Sequence, residues 1–120
     1  MSFFNRHDEA SYVYPTDPVR TYRAVVAAVN SMTKFKLTGT NDRQLSCLFT
    51  TGWSAFTWGD RLTATVAPNP NGSGCVVRIT ADPRANGSLY QARQQKKEIN
   101  MFFKGLSEQL SVPAPAPVFS

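Results

Sequence analysis

Apolar and polar positions alternate through most of this chain and switch to helical spacing twice. Residues 11–14, Ser-Tyr-Val-Tyr, are rich in strand formers and end at Pro15, which predicts a short strand. Asp17-Pro18 then reads as a helix start. An aspartate there can accept from the free amides of the first turn, and proline lacks only an N–H that has no partner at that position. Val19, Tyr22, Val26 and Val29, with Val25 beside them, share one face at helical spacing, and the helix should stop near Met32.

Four strands are predicted next. Residues 34–38 alternate, with Phe35 and Leu37 inward, and Asn41-Asp42 supplies a turn. Residues 44–50 place Leu45, Cys47 and Phe49 inward. Phe56, Trp58, Leu62, Ala64 and Val66 share a parity, so one long strand can carry them on a single face. Residues 68–74, Pro-Asn-Pro-Asn-Gly-Ser-Gly, form a turn. Residues 75–81 put Cys75, Val77, Ile79 and Ala81 inward. After a loop at 82–87, a second helix runs from about Ser88 to Leu110 with Ile99, Phe102, Phe103, Leu106 and Leu110 as its apolar stripe. Its first half, residues 91–98, is almost wholly polar and is expected in solvent or at a rim.

The order is β-α-β-β-β-β-α. Short connections favour antiparallel pairing, and one face of such a sheet needs cover that two amphipathic helices can provide. The expected fold is therefore α+β: a five-stranded antiparallel sheet with two helices packed on one face. Residues 10–111 form the domain. Residues 1–9 are expected to be a flexible terminus, and 112–120 a Pro/Ala-rich tail that is extended or disordered and builds no core.

Composition narrows the class. With 120 residues, 42% hydrophobic and 18% charged, the chain has the size and balance of one globular domain that needs no staple. No apolar run approaches the roughly 20 residues of a membrane helix, and residues 1–9 lack a signal-peptide apolar stretch, so a cytoplasmic location is expected. Cys47 and Cys75 read as small buried hydrophobes; a disulfide is the alternative reading. The net charge of +5 is spread along the chain, and only Arg93, Lys96 and Lys97 cluster. That basic helix face is the candidate surface for nucleic acid or an anionic surface, although scattered charge makes nucleic acid the lesser expectation.

The sequence contains Asp17-Pro18, then Ser54-Ala-Phe-Thr-Trp-Gly-Asp60, then Lys96-Lys-Glu-Ile-Asn100. Over residues 10–110 this resembles a group of small bacterial domains without an established activity, marked by a Ser-x-x-x-Trp-Gly-acid run. The start of the last helix departs from that group's expected Asp/Gly-Lys-Asn-rich pattern, having Tyr90-Gln-Ala-Arg-Gln-Gln95 instead. The element order also resembles the TATA-binding-protein-like fold and a shortened helix-grip fold. These resemblances imply a strand order 2-3-4-5-1 and supply no catalytic residues.

No catalytic constellation stands out. His7 is the sole histidine and sits in the N-terminal segment, where a general base would lack a fixed position. Cys47 has no histidine partner in a predicted element, and the acids show no metal-ligand spacing. No cofactor is expected. Trp53, Phe56 and Trp58 between glycines are unusual beside a hairpin connection. They either plug one end of the core or form a pocket or partner surface. Asp60 shares the inward parity. It is expected to pin a loop end beside Trp58, with orientation of a ligand at a pocket mouth, or exposure through a bulge at Gly59, as alternatives. Trp53, Phe56, Trp58 and Asp60 are thus the candidate binding residues. The expected function is non-enzymatic binding of a small apolar ligand or of a protein partner, a second copy of the chain included; an enzyme whose site the sequence does not reveal is the further alternative.

Overall fold

A computed structural model describes residues 9–51, 60–83 and 89–113, with backbone alone at 60, 82–83 and 89–95. Its elements are β1 (Glu9–Tyr14), α1 (Pro18–Ser31), β2 (Lys36–Asn41), β3 (Ser46–Thr50), β4 (Asp60–Pro68), β5 (Cys75–Pro83) and α2 (Leu89–Leu110). The five strands form one antiparallel sheet in the order β1-β5-β4-β3-β2. The expected architecture and strand order are therefore present: the first strand returns beside the last.

Strand parity builds the core. Cys47 and Phe49 of β3, Leu62, Ala64 and Val66 of β4, Cys75, Val77, Ile79 and Ala81 of β5, and Ala10 and Tyr14 of β1 are all buried. The helices lie over this face. Ile99, Phe102, Phe103, Leu106 and Leu110 of α2 are buried as their spacing predicts. The Phe102 ring stacks on Phe49 with centroids 5.7 Å apart. Phe103 meets Tyr12 edge-on at 4.7 Å, and the Tyr14 hydroxyl lies 2.9 Å from Ser107 Oγ. The other face is hydroxyl-rich, with Thr63, Thr65 and Thr80 half-buried and Arg61 exposed. Arg78 there pairs with Glu9.

The α1 start is as predicted. Asp17 Oδ1 accepts from the Arg20 amide at 3.0 Å, and Pro18 opens the helix. Its buried face differs from the valine stripe. Val19 is exposed and Val26 only half-buried, while Thr21, Ala24 and Ala28 are buried with Tyr22, Val25 and Val29. Two contacts explain the rotation. Tyr22 turns its hydroxyl to Asp42 Oδ1 at 3.1 Å and to the Ser46 carbonyl at 3.0 Å, across the β2–β3 turn. Small side chains then face α2, where Gly105 makes room for the Met32 thioether and Ala28.

Other boundaries shift. Strand β2 starts later and runs longer than the predicted 34–38, and a register shift between Leu37 and Gly39 interrupts its pairing with β3. Phe35 is buried ahead of the strand, and Leu37 is half-buried. Leu45 belongs to the turn, not to β3. It takes a left-handed φ of 52°, and its carbonyl accepts from Val66 N–H at 2.9 Å. Strand β5 continues through Asp82 and Pro83, positions expected in a loop, because Asp60 and Arg61 extend the ladder opposite them. The polar first half of α2 is not all at the rim: Glu98 is 1% exposed.

Candidate functional site

The described residues that flank the candidate stretch lie at one end of the sheet. Strand β3 finishes at Thr50, β4 begins at Asp60 opposite Pro83, and β5 finishes there. The segment carrying Trp53, Phe56 and Trp58 is thus anchored at Thr51 and Asp60, next to where β5 hands over to the start of α2. Trp53, Phe56 and Trp58 lie outside the described residues, as does His7. Asp60 is placed by its backbone alone. Its register gives it the parity of the buried Leu62, Ala64 and Val66, as the sequence suggests.

Two polar residues missed by sequence reasoning are buried at this end. Thr51 is buried directly after β3, and Glu98 is buried on α2. Their placement follows from the Phe49–Phe102 stack. Thr51 is two residues beyond Phe49, about 6–7 Å along the strand. Glu98 is one helical turn before Phe102, about 6 Å back along α2. Both steps lead away from the stack toward the same end. Both residues have interaction partners within the chain. The spacing of Glu98 was a usable signal, since Glu98 and Ile99 lie one turn ahead of Phe102 and Phe103. A charged residue within a polar run hid it.

The basic helix face resolves only in part. Lys97 is exposed and Lys96 is half-buried with an interaction partner, while the side chain of Arg93 lies outside the described residues. Lys96 and Lys97 therefore do not form a uniformly solvated pair.

Both cysteines are free and buried. Burial pushes the Cys47 thiol up to about 11. Burial also raises Cys75, against a hydrogen bond with Thr21 that lowers it and the Asp17 charge that raises it further. Thiolate is the reactive form, so neither position is set up as a nucleophile. Among the described residues no three His, Cys, Asp or Glu side chains gather to hold a metal ion. No helix among them is long and apolar enough to cross a membrane.

Tyr22 gives the fold a measurable alkaline limit. Burial, followed by its hydrogen bond to Asp42, pushes its phenol up to about 12 from the usual 10.0. A folded-state value above the unfolded one favours folding while the phenol is protonated. That contribution is complete below pH 10 and is lost as pH climbs through 10 toward 12. Ultraviolet titration of Tyr22→Phe against the parent should remove one late-ionising tyrosine. A parent with all its tyrosines ionising near the usual 10.0 would contradict the Asp42 contact.

The fold has counterparts among solved structures. Ara h 8.0201 matches with a TM-score of 0.56 and 15% identity, over 92% of this chain and 98% of that one. TTHA0849 from Thermus thermophilus matches with a TM-score of 0.53 and 14% identity, over 87% of this chain and 96% of that one. At these identities the likeness is one of fold. The sequence matches no protein-family model and no curated protein.

Proposed function

We propose that this chain is a non-enzymatic binding module for a small, largely apolar ligand, held at the end of the helix–sheet interface where residues 52–59 connect β3 to β4. The observation that supports this is the burial of Glu98 and Thr51 in the layer beyond the Phe49–Phe102 stack. Small-molecule sites are mostly apolar walls with a few convergent polar groups. The sequence of the connecting stretch carries Trp53, Phe56 and Trp58, side chains of the kind such walls use, and Thr51 and Glu98 are the polar residues buried at this end. The rest of the interface is filled by its own side chains, since Phe49, Leu62, Ile79 and Phe102 are fully buried. The ligand therefore belongs at this end and not in the middle of the core.

Native mass spectrometry of the freshly purified full chain tests the reading. The expected spectrum contains the chain plus a small co-purifying mass. Trp53→Ala and Trp58→Ala should lose that mass while remaining folded. A bare chain that also fails to enhance the fluorescence of anilinonaphthalene sulfonate would rule the reading out.

A further inference from the structure

The outer surface of the helical layer gathers charge that lies scattered along the sequence. Both helices bury one side against the same face of the sheet, so their exposed stripes look the same way, away from it. On α1 that stripe holds Val19, Arg20, Arg23 and Asn30, at the steps of one helix face. On α2 it holds Lys97, Met101, Lys104 and Glu108. The helices sit close together, because Gly105 leaves room for Met32 and Ala28 between them. Cations far apart in the chain therefore share one surface.

Arg20, Arg23, Lys97 and Lys104 are all exposed, and none has an ion-pair partner among the described residues. Against them stand Glu108 on the α2 stripe and Asp17 just before α1, whose carboxylate accepts from the Arg20 amide. The open face of the sheet differs: Arg78 is paired with Glu9 there, and Arg61 stands across the ladder from Asp82. Two large apolar side chains lie among the helical cations. Val19 is 48% exposed and sits one turn before Arg23. Met101 is 37% exposed and sits between Lys97 and Lys104, about one turn from each.

We propose that this outer helical face is a peripheral docking surface for a membrane containing anionic lipid. Four cations without acid partners complement a negative lipid surface, and each one near it adds to the attraction. Long arginine and lysine stems let the charged ends reach headgroup phosphates while their methylenes lie on apolar surface. Val19 and Met101 are placed to enter the boundary between headgroups and acyl chains, as the apolar side chains of interfacial helices do. This apolar pair decides between lipid and nucleic acid. The same cations would attract a nucleic acid, but strands are gripped by aromatic side chains that stack on bases, and the two stripes carry none. Docking of this face needs no ligand at the β3–β4 end, so either can hold without the other.

Co-sedimentation of the full chain with lipid vesicles tests this. Vesicles of equimolar phosphatidylcholine and phosphatidylserine should carry the chain down, and phosphatidylcholine alone should not. Raised salt should release it, since exposed charges are readily screened. Arg23→Gln and Lys104→Gln should each weaken binding about fivefold, and Glu108→Gln should strengthen it. Met101→Ser should weaken it with no change of charge. Lys36→Gln, on the open face of the sheet, should bind like the parent. All these side chains are exposed, so melting temperatures should stay near the parent's. Equal binding to the two vesicle types, or binding to neither, overturns the proposal. So does an equal loss for Lys36→Gln and Lys104→Gln, which would mark net charge and not a face. Tighter binding to duplex DNA, indifferent to Met101→Ser, would assign the face to nucleic acid instead.

Discussion

Phe102→Ala should cost about 3–5 kcal/mol in urea unfolding, the loss expected when a fully buried phenylalanine leaves a cavity. Phe102 has no exposed surface. It stacks on Phe49 and meets Phe103 edge-on at 5.2 Å, so it joins α2 to β3. These neighbours belong to a regular strand and a regular helix and have little freedom to collapse into the gap. Total stabilities of such domains are about 5–15 kcal/mol, so the variant should be only marginally folded at about 37 °C. A loss below about 1 kcal/mol would mean that α2 does not lie against β3.

Among the described glycines, Gly74→Ala should be the most damaging replacement, at about 2 kcal/mol or more. Two causes add. Gly74 has φ 87°, in the left-handed region that a side chain disfavours. A Cβ there would also drive into the Tyr14 carbonyl oxygen and stand 3.2 Å from Pro15 Cα, both backbone atoms that cannot swing aside. Gly39→Ala is the internal control. Its Cβ would meet Leu48 Cδ1 at 3.6 Å, an ordinary contact, so its melting temperature should stay near the parent's. Equal effects at the two glycines would show that the β4–β5 turn does not press on the end of β1.

The fold was legible in the sequence because period-two and period-3.6 patterns are local and nearly every inward position follows them. The stripe of α2 and the inward set of β5 are buried as read. Errors arose where a distant contact overrode a local pattern. Val19 looked inward from valine spacing, but Tyr22 is held by Asp42 and Ser46, and this turns the helix. Leu45 has strand-like parity, yet it sits in a left-handed turn whose carbonyl serves β4. Nothing in the order of residues announces such a partner. The candidate site was legible in part. The aromatic run and the parity of Asp60 could be read directly. The burial of Thr51 could not, because it lies just past a strand end where hydropathy carries no signal, and that of Glu98 was marked only by its spacing from Phe102 within a polar run.

The sheet's strand order also sets a timetable for synthesis. Strand β1 is made first, yet its only partner among the described strands is β5, and its Tyr14 hydroxyl waits for Ser107, 93 residues further on. The first of these five strands to be synthesised therefore waits for β5 until most of the domain has emerged. The β2–β3 and β3–β4 hairpins can close long before that. Completion depends on the two ends of the domain meeting, a closure of long sequence separation of the kind that slows folding. During this wait β1 exposes an apolar strand on both its edges, so the growing chain is more prone to aggregate than the finished one.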